Sequence, residues 1–166
     1  MKADLGEIVE GLSKAGVEFI LVGGLAAVVQ GAPITTMDVD IVHRQEAKNI
    51  SKLHSFLRGI NAVYRRPDEK IIEPKEEDFF SKGHFLLKTS LGPLDVLAFI
   101  EEERKYDDLL PHTMEVDLRG SRIRVLDLNT IAHLKRNSKF PKDRQRLLVI
   151  EETLKQLGKS ISSEKK

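Results

Sequence analysis

The sequence contains no cysteine, no tryptophan and only two tyrosines. Without cysteine there is no disulfide framework and no thiolate zinc site. With so few large aromatics, Phe79-Phe80 and Phe85 are expected in the core rather than as base-stacking platforms. Long hydrophobic runs are also lacking. The longest, Phe19 to Val29, has 11 residues including its glycines, whereas a membrane span needs about 20. The N-terminal MKADLGEIVEGL mixes acids with apolar residues and has no signal-peptide h-region, so no membrane association and a cytoplasmic location are expected. No internal repeat and no Pro/Gly/Ser linker divides the chain. The five histidines, at positions 43, 54, 84, 112 and 133, form no i, i+4 pair and no HExxH pattern, and are read as non-ligands.

What remains is ordinary for a globular domain: 166 residues, 40% hydrophobic and 32% charged. One domain is expected over residues 1–158, followed by a flexible tail over 159–166. The net charge of +1 hides an asymmetry. Residues 1–118 hold 14 Lys/Arg against 21 Asp/Glu, a net −7, while residues 119–166 hold 13 against 5, a net +8. The basic, mainly helical part over 119–158 is either a solvated face or a surface for a polyanion such as NTP or RNA.

Periodicity predicts mixed helices and strands. Leu5, Ile8, Val9 and Leu12 recur at helical spacing and predict a first helix ending near Gly16. Val17–Val22 reads as a buried strand, Gly24–Gln30 as a helix, Thr36–Val42 as a second strand and Gln45–Leu57 as a further helix. The charged stretch from Arg65 to Asp78, with Pro67 and Pro74, reads as an exposed loop. His84–Thr89 with Leu94–Phe99, and Met114–Leu118 with Arg122–Leu126, read as hairpins. Arg104–Leu110 reads as a short helix, and Leu128–Arg136 and Arg144–Leu157 as longer ones. The expected fold class is α/β (α+β), with a mixed sheet of about five to six strands and flanking helices.

The chemistry concentrates between Phe19 and His43. Gly23-Gly24 ends an apolar run and precedes a helix, which suits either a close backbone approach to phosphate or a plain tight turn. After thirteen intervening residues comes Asp38-Val39-Asp40. In a strand, residues i and i+2 share a face, so the two carboxylates project together and repel unless a cation lies between them. Hard oxygen donors favour Mg²⁺ or Mn²⁺. Asp95 lies inside the apolar Leu94-Asp95-Val96-Leu97, where an ionised carboxylate needs a partner: an arginine, a backbone N–H, or a metal shared with Asp38 and Asp40.

Together Gly23, Gly24, Asp38, Asp40 and Asp95 resemble the motif of the DNA polymerase beta-type nucleotidyltransferase superfamily. The flanking Gly31-Ala32-Pro33-Ile34-Thr35-Thr36-Met37-Asp38 looks like the subgroup related to nucleotidyltransferase toxins of abortive-infection systems. Thr36 matches that subgroup, whereas Ile34 stands where arginine is usual. Lys135 and Lys142-Asp143 look like its Lys…Lys-Asp segment, with Phe140 in place of an arginine. The resemblance implies a nucleotidyltransferase-like fold and a metal-dependent transfer of NMP from an NTP to a hydroxyl acceptor on RNA (tRNA included), protein or a small molecule. Asp38, Asp40 and Asp95 would be catalytic and would hold Mg²⁺ or Mn²⁺. Gly23, Gly24, Thr36, Lys135 and Lys142 would bind the nucleotide. Two other readings stay open: an inactive relative acting as a binding partner, for example in a toxin–antitoxin pair or as a homodimer, and an RNA-binding protein using the basic segment.

Overall fold

The computed structural model describes residues 3–164. It is a seven-stranded mixed sheet with six α-helices. Helix α1 (Leu5–Lys14) begins where the Asp4 carboxylate accepts from the Glu7 N–H at 2.9 Å, satisfying one of the free donors of the first turn. Its Ile8, Val9 and Leu12 are fully buried, each contributing roughly 1.5–3 kcal/mol by leaving water. Strand β1 (Phe19–Val22) is buried throughout and runs directly into α2 (Gly23–Val28). Strand β2 (Val39–His43) leads to α3 (Ala47–Gly59), which buries Ile50, Leu53 and Leu57. Helices α1 and α3 pack together in the hydrophobic core against the sheet.

Strands β3 (Val63–Tyr64), β4 (His84–Thr89) and β5 (Gly92–Leu97) follow. After a short helix α4 (Tyr106–Leu109), β6 (Thr113–Leu118) and β7 (Ser121–Leu126) form the second hairpin. The chain ends in α5 (Leu128–Arg136) and α6 (Pro141–Glu164). The order across the sheet is β3-β4-β5-β2-β1-β7-β6. Strand β2 runs antiparallel to β1 and parallel to β5, and β1 runs parallel to β7. The topology therefore brings residues 38–43 and 92–97 side by side at the centre of the sheet.

Several expectations need correction. The sheet has seven strands rather than five to six, because the two-residue β3 lies just before a segment that reads as exposed loop. That segment also holds a 3-10 turn, Glu76–Phe80, which buries Phe79 and leaves Phe80 51% exposed, so Phe80 is not in the core. Helix α2 ends at Val28, short of Gln30. Helix α6 begins at Pro141 and its backbone continues to Glu164, beyond the expected end at Leu157. Residues 165 and 166 of the expected tail lie outside the described residues. His43 is fully buried. Its ring nitrogens lie 2.9 Å from the Phe79 carbonyl oxygen and 3.2 Å from that of Leu97, so it ties the end of β2 to its neighbours.

Candidate active site

The register of the sheet assembles the site. Val22 on β1 stands opposite Asp40 on β2, and Asp40 opposite Asp95 on β5. Directly paired residues present their side chains on the same face. Asp38 lies just before β2, one pleat from Asp40. One oxygen from each of Asp38, Asp40 and Asp95 falls within a span of 4.8 Å. Three carboxylates so close, with no histidine or sulfur among them, form a hard-oxygen donor set that fits Mg²⁺ or Mn²⁺. The electrostatics agree with the crowding. Burial, and then the neighbouring Asp38 charge, push the Asp40 carboxyl up from 3.8 to about 6, against the opposing pull of Arg146, Arg65 and Lys135.

Gly23 and Gly24 sit where β1 becomes α2, and their lack of side chains has specific causes. Gly23 has φ +71°, and a Cβ there would overlap the Asp40 carboxylate oxygen. A Cβ on Gly24 would lie 3.0 Å from Thr36 Oγ1 and 3.1 Å from an Arg146 guanidinium nitrogen. The glycine pair thus makes room for one carboxylate, one hydroxyl and one cation. Thr36 itself donates its hydroxyl to the Asp38 carbonyl at 3.2 Å, which links it to the start of β2.

Two cations, Arg146 among them, come from the C-terminal helices. Lys135, on the last turn of α5, donates to the Asp143 carboxylate at 3.1 Å, and Asp143 also accepts from the Ser138 hydroxyl at 2.6 Å. Burial alone would raise the Asp143 carboxyl, but Ser138 and Lys135 together hold it below its ordinary value. One turn along α6, Arg146 donates to the Thr35 carbonyl at 3.2 Å. Its guanidinium therefore lies beside residue 35, next to Ile34, the position where the resembling subgroup has arginine. Lys135 and Arg146 both line the cavity described next. Lys142 is exposed on the first turn of α6 and does not line it.

A cavity of about 610 Å³ contains Gly23, Asp40 and Asp95. Lys135 and Arg146 line it from the C-terminal helices, and His84, Leu86 and Phe99 with the acidic run Glu101–Glu103 line it from the β4–β5 side of the sheet. The His84 and Phe99 rings lie against each other at 5.1 Å. Of the three glutamates, Glu102 pairs with Arg104 at 2.9 Å.

Two arginines and an acidic run at the site are absent from the residues expected from the sequence. Arg65 contacts the Asp95 carboxylate directly, in a segment that reads as loop. Arg146 reaches a carbonyl 111 positions away. Glu101–Glu103 is a run of three acids with no spacing that marks a site. Arg146 alone had a pointer: it follows Asp143 by three residues, so the two share a helix face.

No protein-family model and no curated protein matches the chain. Solved structures resemble it in fold. One is the lincosamide antibiotic adenylyltransferase LnuA, lincomycin-bound, at 15% identity and a TM-score of 0.60, over 92% of this chain and 99% of that chain. Another is ANT(2")-Ia in complex with adenylyl-2"-tobramycin, at 12% identity and 0.54, over 89% and 86%. A third is an antigenic nucleotidyltransferase-like protein from Paracoccidioides brasiliensis, at 14% identity and 0.51, over 90% and 72%. The chain has the nucleotidyltransferase fold.

Proposed function

We propose that this chain is a nucleotidyltransferase that moves an NMP from an NTP to a hydroxyl of a small molecule and releases pyrophosphate. One observation carries the reading: Asp38, Asp40 and Asp95 converge within 4.8 Å, and Asp40 and Asp95 line a cavity together with Gly23, Lys135 and Arg146. Asp38, Asp40 and Asp95 would hold a divalent metal, which would supply neutralising charge for the phosphates and a more acidic acceptor hydroxyl. Gly23 and Gly24 let the triphosphate approach the main chain, with the Thr36 hydroxyl beside them. Arg146 and Lys135 stabilise the charge that builds up on the phosphates. Lys142, outside the cavity, makes at most a peripheral contact. Asp95 accepts the proton of the acceptor hydroxyl as its oxygen bonds to the α-phosphorus, and the bond from that phosphorus to the bridging oxygen breaks, freeing pyrophosphate.

A small acceptor is favoured by the β4–β5 side of the cavity. Its apolar lining residues Leu86, Leu97 and Phe99 and the run Glu101–Glu103 suit a neutral or cationic molecule and repel an RNA backbone. The lincomycin of one structural neighbour and the adenylyl-tobramycin of another are small molecules of this kind.

The test is a screen with each α-labelled NTP, Mg²⁺ or Mn²⁺, and three acceptor pools: hydroxyl-bearing small molecules, tRNA and the protein itself. Label is expected on a small molecule, and Asp38→Asn and Asp40→Asn should reduce it by a factor of about 10² or more. Label only on tRNA or protein would move the acceptor class. Thermal stabilisation by NTP without any product would favour a binding partner that does not turn over, including one in a toxin–antitoxin pair.

A further inference from the structure

Arg65 is drawn into the site by the sheet rather than by the motif. Its N–H donates to the Leu86 carbonyl at 2.9 Å, continuing the β3–β4 pairing in which Tyr64 faces Leu87. Leu86 stands opposite Asp95, and Asp95 opposite Asp40. Arg65, Leu86, Asp95 and Asp40 therefore form one cross-strand row with their side chains on a common face. The guanidinium reaches over Leu86 and contacts the Asp95 carboxylate. It comes from the β4 side, while Asp40 lies on the opposite, β2 side. The Asp95 side chain is 15% exposed and that of Arg65 33%, so the pair is partly shielded from water. The other two cations near the cluster are engaged elsewhere, Lys135 with Asp143 and Arg146 with Thr35.

We propose that Arg65 is a positioning residue for Asp95. It grips one carboxylate oxygen from the outer flank and so turns the other toward Asp38 and Asp40. The flank from which it approaches decides between two roles. A cation wedged between Asp95 and Asp40 would compete with metal, whereas one behind Asp95 supports it as an outer-shell partner, a type of group whose loss typically weakens metal binding or activity about 10–100-fold. The inference rests on the nucleotidyltransferase reading only in its metal site.

The experiment is Mn²⁺ binding to the purified full chain, measured by electron paramagnetic resonance and calorimetry without nucleotide. Arg65→Ala should weaken binding about tenfold and Arg65→Lys should recover part of the loss. In an Asp95→Asn background Arg65→Ala should add nothing, which a merely structural effect would not reproduce. Unchanged or tighter binding by Arg65→Ala overturns the proposal, as does an equal loss in the Asp95→Asn background. If these variants behave like the wild type while Asp38→Asn abolishes binding, only the role of Arg65 fails. If the wild type itself binds no Mn²⁺, the metal site and the role of Arg65 fail together.

Discussion

Asp40 is the residue on which the cluster's electrostatics converge, and it makes the protein's stability depend on pH. Its carboxyl titrates at about 6 in the fold and near 3.8 in the unfolded chain. Between these values the folded state holds a proton that the unfolded state has lost. Stability therefore falls as pH rises through the window from about 4 to 6, and the deficit, on the order of 2–3 kcal/mol, is complete above it. Urea denaturation in the presence of a chelator should show this decline, and Asp40→Asn should flatten it and leave the protein more stable than wild type at pH 7. A divalent cation added at pH 7 should reverse the deficit in wild type, because it neutralises the same charge. Asp38, Asp40 and Gly23-Gly24 stand out in the sequence because each signal is local, a two-residue alternation and a tight turn, and Asp95 because it is a carboxylate in an apolar strand. Arg65 and Arg146 are not, because each meets its partner only through the fold, 30 and 111 positions away.

Elements were legible in proportion to their length and periodicity. Helices α1, α3 and α5 announce themselves through buried residues at i, i+3, i+4 and through Asp4 and Asp127 as caps. Both hairpins do so through alternation around short turns. Strand β3 has two residues, too few for any period, and it forms because β4 offers a free edge for Val63 and Tyr64. The α5–α6 junction is where an element-scale contact serves the site. Asp143 takes hydrogen bonds from both Lys135 and Ser138 and so fixes the angle at which α6 brings Arg146 to Gly24. Asp143→Ala leaves the Lys135 ammonium, 12% exposed, without its counter-charge. The expected loss is about 1–3 kcal/mol of stability. NTP affinity should fall as well, because Arg146 loses its frame. Denaturation and calorimetric titration with NTP measure the two effects. A variant as destabilised as expected but with full NTP affinity would separate the helix junction from the site.

At the scale of the molecule, part of the +8 of residues 119–166 is spent within the fold rather than offered to a polyanion. Arg119 lies 3.1 Å from Asp4, Arg122 and Arg124 share Glu115 at 3.0 and 3.6 Å, Lys135 takes Asp143 at 3.1 Å, and Arg136 faces Glu151 at 3.6 Å. Three of these pairs, those to Asp4 and Glu115, join the basic part to acids from the rest of the chain, so the opposite charges of the two regions attract across the fold. Around the α5–α6 turn, among the described residues, only the cations Lys139, Lys142 and Arg144 are exposed and outside the ion pairs. Three cations beside an exposed Phe140 are too few for a nucleic-acid platform, and the β4–β5 side of the cavity adds carboxylates. For single-stranded RNA each neutralised phosphate contributes about −0.7 to the slope of log affinity against log salt. Binding of mixed RNA should therefore show a slope no steeper than about −2, and Lys139→Ala, Lys142→Ala and Arg144→Ala combined should remove most of it. The triple variant should transfer NMP as the wild type does, since none of the three lines the cavity. A slope near −4 or steeper would mean that paired arginines leave their acids to meet RNA, and would restore the RNA-binding reading of the basic segment.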